Sequence, residues 1–575
     1  MKALSWQSRF NIILVCLLVA LIGATIILAC VPPVSRDALT HHLAIPKLYL
    51  KHGGMYEIPT LIFSYYPMNL DILYIIPQYF GNDIIPKIIH FTFALFTAWL
   101  IFRYLKKRCD VGYAMIGVLL FLSLPIIVKL SITAYVDLGL VFFSTAALMF
   151  HFKWNENSFK LRYLVVSAIW CGLALGTKYN GLILLFLFTL YIPFVYSRKI
   201  GSIVDPKETE NGHKKHNTFS RAIGYAIVYL VIAIVVFSPW AIRNYIWTNN
   251  PVYPLFDSWF NTGDTDPGSH QDIDFIIREQ ETAKYAKQIA NPFVTRRVIY
   301  KESFWQILII PIRLFIEGRD DDPKYFDGRL NPYLLLLPLF AFFPKTRDSS
   351  DIQTEKKVLL GFSVLFLLIV FFQRDLRVRY IAPIIPPLVI LSILGLRNLI
   401  QTLRLKNLWA FGKIWAGCVA VGVAVLISLN MLYIWEQFQR VQPISYLIGK
   451  VGRDTYIEKY RPEYAAIQFA NQHLPEDTKL FCLFLGDRSY YSDREILFGE
   501  TYFNTIVKQA NSAEKLMMEF QKINIEYLLV RYDIFNPWAS HQFNDTEKTI
   551  LVNFFNKHAK LIFSKGGYGL YRLAV

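Results

Sequence analysis

A short segment after the first apolar run concentrates ionisable side chains. Residues 35–53, SRDALTHHLAIPKLYLKHG, follow the apolar run 11–31 and place Asp37, His41 and His42 within about one helical turn. A carboxylate can act as a general base, and histidines can exchange protons or bind a metal. The structural alternative is an aspartate that caps a helix, where the helix dipole favours an anion.

More charged residues stand at the ends of other apolar runs, although charge beside a membrane is costly and is usually placed for a purpose. They are Asp137 in SITAYVDL (131–138), Lys178 in GTKYNG (176–181), Arg243 in RNYIWTNNPVYP (243–254), and Arg374, Arg377 and Arg379 in QRDLRVRY (373–380). The structural alternative for the arginines is snorkelling to lipid headgroups.

Two carboxylates beside several cations indicate one kind of chemistry. Cations at headgroup depth suit a lipid-linked phosphate, with arginine giving bidentate contacts. A carboxylate nearby suits general-base attack by an acceptor hydroxyl, so the set indicates glycosyl transfer from a polyprenyl-phosphate sugar through an oxocarbenium-like transition state. The sequence contains no GxGxxG, GxxxxGK[ST] or HExxH motif.

The composition is that of a polytopic membrane protein. Of 575 residues, 54% are hydrophobic and only 18% are charged, and several apolar runs have membrane-spanning length. The net charge of +17 lies largely in short loops. It therefore indicates positive-inside topology and contact with anionic lipid rather than nucleic acid.

Hydropathy predicts about eleven transmembrane helices. They lie near residues 11–32, 84–105, 111–128, 136–152, 162–177, 180–197, 222–241, 330–344, 357–373, 380–396 and 414–435. The first run could instead be a signal peptide, but a retained span fits the many spans that follow. With the N-terminus in the cytoplasm, the basic loops 103–108, 153–162, 198–221, 345–357 and 397–407 all fall inside.

Three long segments then lie outside the cytoplasm: 33–83, 242–329 and the tail 436–575. We expect 36–52 to form an amphipathic helix on the membrane surface, and 303–316 to be interfacial or re-entrant. If 303–316 crossed the membrane, the tail would lie in the cytoplasm. The aromatic segment 56–70 fits either sugar stacking or an interfacial position.

The tail is predicted to be a soluble α/β domain, with strands in 478–487 and 525–533 and a helix in 512–524. This gives two domains, 1–435 and 436–575. The acidic stretch 317–329 lacks calcium-loop spacing and is interpreted as a solvated loop, and 486–495 as either acceptor recognition or a surface turn. The six cysteines show no CxxC pair and are interpreted as packing residues.

The sequence resembles a known superfamily. The resemblance rests on RDALTHHLAIPKLYL (36–50), AYVDLGLVFF (134–143), LGTKYNGLILL (175–185), RNYIWTNNPVYPL (243–255) and RYIAPIIPPL (379–388). In order and placement these motifs resemble bacterial GT-C glycosyltransferases, relatives of the dolichyl-phosphate-mannose–protein mannosyltransferases and the lipid A aminoarabinose transferase. The resemblance implies a GT-C transmembrane fold with a C-terminal α/β domain outside the cytoplasm.

The resemblance also implies roles for individual residues. Asp37 would be the catalytic acid/base, acting with inversion, and Asp137 the second acidic residue. The residues expected to bind substrate are Arg36, His41, His42, Lys178, Arg243, Arg377, Arg379 and Tyr380. Protein mannosyltransferases carry adjacent acidic residues in this loop, whereas Asp37 is flanked by Arg36 and Ala38, which leaves lipid and glycan acceptors open beside protein.

No cofactor is firmly implied, and a divalent metal at Asp37, His41 and His42 is the less favoured reading. The expected partners are a polyprenyl-phosphate sugar, an acceptor and membrane lipids, in a bacterial inner membrane. The rival function is a transporter or flippase, which would more often show related halves and broken spans at the midplane. A non-catalytic assembly factor would share the fold but would not need Asp37.

Overall fold

The computed structural model describes residues 6–201, 212–261, 292–342, 349–372, 376–405 and 409–574. Up to Val441 these residues are helical or irregular. The longer helices are Trp6–Ala29, Ala44–His52, Asn69–Tyr79, Ile85–Arg108, Val111–Ser123, Pro125–Ser131, Asp137–Glu156, Leu161–Leu175, Gly181–Gly201, Gly212–Thr248, Ser350–Phe371, Ile385–Leu405 and Trp409–Val441.

Six of the described helices are long and apolar enough to cross a membrane, or seven if the bent pair Val111–Ser123 and Pro125–Ser131 is one span. The six spans are Ser8–Ala29, Ile85–Arg108, Gly181–Ile200, Thr218–Thr248, Val378–Thr402 and Val421–Val441. The chain is therefore a multi-pass membrane protein. The full count of about eleven stays a prediction, although ten of the predicted segments coincide with described helices.

The expected span at 330–344 is the exception. Its described part contains a short α-helix, Tyr333–Leu336, followed by a 3₁₀ turn, Leu337–Ala341. Pro332 stands before the first and Pro338 at the start of the second. Proline lacks an N–H group and clashes with the preceding turn, so a continuous helix does not form.

The basic loops predicted to share one side of the membrane do meet at one end of the bundle. Arg108 pairs with Glu156 and, at 2.5 Å, with Glu355, and its carbonyl accepts a hydrogen bond from Arg397 at 2.8 Å. Lys199 adds an ion pair with Asp351 at 3.1 Å. All five loops thus share one end, while the side of the membrane stays a prediction.

Segment 36–52 does not lie exposed as a surface helix. It forms a π-helical turn, Ala38–His42, and the helix Ala44–His52, and most of its apolar side chains are buried. The carbonyl of Leu39 accepts hydrogen bonds from the backbone N–H groups of Ser489 and Tyr490, at 3.2 and 3.1 Å. The C-terminal region is thus hydrogen-bonded to this segment, and the buried apolar residues of the segment belong to the same hydrophobic core as the membrane helices.

Residues 443–574, here called the C-terminal region, contain a five-stranded sheet in the order β2-β1-β3-β5-β4. The strands are β1 Lys479–Leu483, β2 Glu495–Phe498, β3 Tyr527–Arg531, β4 Ala559–Lys565 and β5 Tyr568–Leu573. Strands β2, β1 and β3 are parallel, and β5 and β4 are antiparallel to their neighbours. The helices are Pro443–Leu447, Arg453–Tyr460, Tyr464–His473, Glu500–Gln509, Ala513–Lys522, Tyr532–Gln542 and Asp545–His558.

The predicted strands and helix of the tail are confirmed, because β1, β3 and the helix Ala513–Lys522 fall inside the expected segments. Strands β1 and β3 are buried on both faces, as their nearly continuous apolar runs require. The predicted domain boundary at 435/436 falls inside the helix Trp409–Val441. The division into two domains stays a prediction.

The loop 303–316 contains two short helices, Phe304–Leu308 and Ile310–Arg313, too short to cross a membrane. The segment 317–329 is not a solvated loop. The Asp320 and Asp327 side chains are mostly buried, and both pair with Lys129, at 3.4 and 2.8 Å. Arg374 and residues 262–274 of the polar run NTGDTDPGSHQDID lie outside the described residues.

Candidate active site

The first predicted carboxylate, Asp37, stands just before the π-helical turn Ala38–His42. Its Oδ2 atom lies 2.6 Å from a guanidinium nitrogen of Arg379, which belongs to the 3₁₀ turn Val378–Ile384. Burial alone would raise the pKa of Asp37, but the guanidinium charge of Arg379 and its hydrogen bond hold that pKa well below its usual range. Asp37 is therefore ionised at neutral pH.

The second predicted carboxylate, Asp137, is the first residue of the helix Asp137–Glu156, where the helix dipole favours an anion. Its Oδ1 accepts a hydrogen bond from Lys178 Nζ at 2.7 Å. The other oxygen, Oδ2, is buried with no hydrogen-bond partner among the described residues. A buried carboxylate oxygen with this spare capacity can accept a hydrogen bond from a substrate hydroxyl.

Tyr380 joins the two ion pairs. Arg379 lies 5.3 Å and Lys178 Nζ 5.2 Å from the centre of its ring, so both cations contact one aromatic side chain. The ring of Tyr135 lies 5.1 Å from Arg379. The structure therefore brings five predicted residues into one site: Asp37, Asp137, Lys178, Arg379 and Tyr380.

The two adjacent histidines have different partners. His42 Nδ1 lies 2.7 Å from Asp71 Oδ1, and both side chains are buried. The ring of His41 stacks on Phe63 at 4.4 Å, and its Nδ1 contacts Thr40 Oγ1 at 2.9 Å. Among the described residues no three His, Cys, Asp or Glu side chains are grouped as metal ligands.

Burial also sets the protonation of the His42–Asp71 pair. It raises the pKa of Asp71 to about 7 and lowers the pKa of His42 to about 3, so near neutral pH a neutral imidazole contacts a carboxyl group that is partly protonated. Burial likewise lowers the pKa of His41 well below its usual range. Both rings are therefore uncharged beside the ionised Asp37.

Arg243 is not in contact with either carboxylate. Its guanidinium lies between the rings of Trp240 and Trp247, at 4.7 and 4.8 Å, and donates to the carbonyl of Tyr66 at 3.1 Å. These contacts hold the first loop against the helix Gly212–Thr248. The phosphate-binding role expected of Arg243 stays a prediction.

The remaining predicted residues stand around the ion pairs. Arg377 pairs with Asp327 at 3.1 Å, and Lys129 contacts the same carboxylate. Arg36, the neighbour of Asp37, is exposed and lines a cavity in the C-terminal region. Among the described contacts, its guanidinium pairs with neither Asp37 nor Arg379.

The sequence interpretation missed three residues of this neighbourhood: Asp71, His90 and Lys129. His90 Nε2 accepts a hydrogen bond from the N–H of Leu138 at 2.9 Å, which fixes the first turn of the helix that begins with Asp137. The sequence pattern that could have identified them is an isolated ionisable residue inside an apolar run, as in NLDILYIIPQY for Asp71.

The comparisons with known proteins bear on the family and the fold of the chain. Residues 73–204 match the family model described as dolichyl-phosphate-mannose-protein mannosyltransferase. No curated protein matches the sequence.

Two solved structures of ArnT from Cupriavidus metallidurans are similar to the chain. The apo structure has a TM-score of 0.56 and 12% identity, and the match covers 99% of this chain and 98% of that one. The structure bound to undecaprenyl phosphate has a TM-score of 0.52 and 14% identity, with 97% of each chain covered. At these identities the likeness establishes the fold, and it confirms the fold class expected from the motifs.

Proposed function

We propose that this chain, which has the GT-C fold and is related to the protein mannosyltransferase and ArnT group, transfers a sugar from a polyprenyl-phosphate carrier to a lipid, glycan or protein acceptor. The observation that carries the proposal is the pair of ion pairs, Asp37–Arg379 and Asp137–Lys178, in contact with the ring of Tyr380. This arrangement would bring together a base and two cations that can bind phosphate.

The cations would hold the phosphate of the donor. Arg379 can donate to phosphate oxygens in bidentate fashion, and Lys178 can add a point charge. The similarity to an ArnT structure bound to undecaprenyl phosphate supports a lipid phosphate as the ligand. Arg377 and Arg243 are the further candidates for this role.

Phosphate binding would also activate the base. When Arg379 donates to the phosphate, it attracts Asp37 less, and burial then raises the pKa of that carboxylate. A carboxylate with a higher pKa takes a proton from an acceptor hydroxyl more readily. The same arginine would thus couple donor binding to general-base strength.

The reaction follows from this arrangement. The acceptor oxygen bonds to the anomeric carbon while Asp37 takes its proton. The bond between that carbon and the phosphate oxygen breaks, and polyprenyl phosphate leaves with the electron pair. Attack from the face opposite the leaving group inverts the anomeric centre, and the spare oxygen of Asp137 would accept a hydrogen bond from donor or acceptor.

We place this reaction at the non-cytoplasmic side of a bacterial inner membrane. The basic loops that meet around Arg108 would face the cytoplasm together with the N-terminus. The site and the C-terminal region stand at the other end of the bundle.

The test uses proteoliposomes with the purified chain and a panel of radiolabelled undecaprenyl-phosphate sugars, with membrane lipid extract and envelope glycans as acceptors. We expect label to move from the carrier to a second product, and Lys178→Ala to slow this transfer about tenfold or more. Label that crosses to the other leaflet while still attached to its carrier would instead identify a transporter.

A further inference from the structure

A cavity of about 520 Å³ opens at one edge of the C-terminal sheet, and the active site does not use it. Its lining residues are Arg36, Phe484, Gly486, Asp487, Arg488, Glu500, Thr501, Asn504, Arg531, Ile534, Trp538 and Gln542. Except for Arg36, all of them stand at or after the carboxyl end of one of the three parallel strands. The volume lies in the range of small-molecule sites.

The sheet topology makes this edge a preferred place for a ligand. The chain leaves β1 for β2 on one side and returns to β3 on the other, so a crevice forms at the carboxyl ends of β1 and β3. Open α/β sheets bind their ligands at such switch points. The loop after β1 turns sharply there, with positive φ at Phe484, Gly486 and Asp487.

Arg36 connects the cavity to the active site. It is exposed and immediately precedes Asp37, and its guanidinium makes no hydrogen bond or ion pair with another described residue. The loop that lines the cavity is held on the membrane part by hydrogen bonds from the N–H groups of Ser489 and Tyr490 to Leu39. A ligand in the cavity would therefore lie at a constant position relative to Asp37.

The other cations of the cavity wall already have acidic partners. Arg531 pairs with Asp533 through two hydrogen bonds of 2.7 and 2.8 Å, and Arg488 pairs with the buried Glu463. Within the described chain this leaves Arg36 as the lining cation that is available to an anion. A single exposed guanidinium at the mouth suits one acidic group on the ligand.

The rest of the wall suits a polyhydroxylated ring. The indole of Trp538 lies 5.1 Å from the ring of Phe484 and supplies an apolar surface. Gln542 donates to Asn504 at 3.0 Å, and this leaves further donors and acceptors of both amides for a ligand. The hydroxyl of Thr501 adds another group of the same kind.

We propose that this cavity binds the saccharide part of the acceptor, with an acidic substituent of that saccharide at Arg36. The inference rests on the proposed function, because it assigns the acceptor of the same reaction. The five residues just described can contact sugar hydroxyls or ring faces, and the position next to Asp37 would bring an acceptor hydroxyl to the base.

The test measures binding without donor, so it is independent of sugar transfer. The full chain in nanodiscs is titrated with N-acetylglucosamine 1-phosphate, N-acetylglucosamine and inorganic phosphate, and saturation-transfer NMR reports contacts. We expect the sugar phosphate to bind at least about tenfold more tightly than either part alone. Arg36→Gln should reduce its affinity to that of the neutral sugar, and Gln542→Ala should weaken both sugars.

Arg162→Gln, an exposed arginine at the other end of the bundle, is the matched control and should not change binding. The proposal would be overturned if neither sugar bound. It would also be overturned if Arg36→Gln and Gln542→Ala left the affinities of the sugars unchanged. If the probes fail to bind while wild type still transfers sugar, this inference fails and the proposed function stands. If they bind but no sugar is transferred, the cavity remains a saccharide site and the proposed function fails.

Discussion

At the scale of single residues, the environment of Asp37 explains how a buried carboxylate can stay charged. Burial raises its pKa, and the guanidinium of Arg379 at 2.6 Å more than offsets that effect. The partner that keeps the carboxylate ionised is also the cation best placed to bind phosphate. We therefore expect the charge on Asp37 to depend on whether Arg379 is bound to the phosphate of the donor.

Arg379→Gln tests this coupling through the pH profile of sugar transfer. Without the guanidinium, burial raises the pKa of Asp37, so activity should be lost as pH falls through a range in which wild-type Asp37 stays ionised. We expect the acid limb of kcat/KM assigned to Asp37 to move up by about one unit or more. Arg377→Gln, whose arginine pairs with Asp327, should move it less. An unchanged limb in Arg379→Gln would contradict the coupling.

Asp71→Asn tests the protonation of the buried His42–Asp71 pair. The pKa of Asp71 in the folded chain is raised to about 7, so folded Asp71 holds its proton more tightly than unfolded Asp71. Its ionisation therefore costs stability progressively as pH rises from about 4 to about 7. We expect the Tm of Asp71→Asn relative to wild type to increase between pH 5 and pH 8, and a constant difference would contradict the raised pKa.

The sequence singled out five residues that the structure brings together, but it did not indicate which of them contact each other. Asp37, Asp137, Lys178, Arg379 and Tyr380 stand in motifs at the ends of apolar runs, where an ionisable residue is conspicuous. Their pairing was not predictable, because Asp37 and Arg379 meet only after the intervening helices pack. Asp71 and His90 were missed because each looks like an isolated polar residue inside an apolar helix.

At the scale of elements, the junction between the first loop and the C-terminal region fixes the segment that carries Asp37, the proposed base. Lys47 Nζ donates to the carbonyls of Tyr490 and Ser492 and to the carboxylate of Asp493, each at 2.9 Å. The sequence suggested a helix on the membrane surface, because an apolar face looks the same whether lipid or protein covers it. The residues that bond to Lys47 lie more than four hundred positions later in the chain.

Lys47→Met tests whether this junction is ordered by its lysine. The substitution keeps much of the apolar stem but leaves three acceptors without their donor. We expect the N–H groups of Ser489 and Tyr490, which bond to Leu39, to exchange with deuterium about tenfold faster. Lys51→Met is the matched control, since Lys51 makes one such bond, to the carbonyl of Asp493 at 2.9 Å, and should change exchange less. Equal exchange in wild type and Lys47→Met would contradict this role.

Helix positions were predicted well from hydropathy, and the failure at 330–344 has a local cause. Apolar composition there is high enough for a span, but Pro332 and Pro338 divide the segment into two short turns. A hydropathy score averages over a window of residues, so it does not show where proline removes a backbone N–H donor. The strands of the C-terminal region were predictable because buried parallel strands have short, continuous apolar runs.

At the scale of the whole molecule, the two ends of the bundle carry different charge networks. At the end away from Asp37, Arg108 pairs with both Glu156 and the fully buried Glu355, and Tyr104 donates to Glu355 at 2.6 Å. This network joins three of the loops predicted to be cytoplasmic. We assign a stabilising function to this network, whereas the proposed chemistry belongs to the ion pairs at the other end.

Glu355→Gln tests this division of roles. Removing one charge of a buried pair leaves Arg108 less well compensated, so we expect a loss of about 3 kcal/mol in the free energy of unfolding. Asp351→Asn is the matched control, because Asp351 is half exposed in its pair with Lys199 and should cost less than about 1 kcal/mol. Stability is measured as the loss of folded protein on heating in detergent. Equal effects of the two substitutions would contradict the assignment.

The most direct test of the central claim is the rate of sugar transfer by Asp37→Asn beside wild type, with the active donor of the panel and matched amounts of folded protein. The account predicts a loss of about 100-fold or more, because asparagine cannot take the acceptor proton. Asp477→Asn, an exposed carboxylate in the C-terminal region, should transfer sugar at the wild-type rate. Transfer by Asp37→Asn at close to the wild-type rate would contradict the claim that Asp37 is the base.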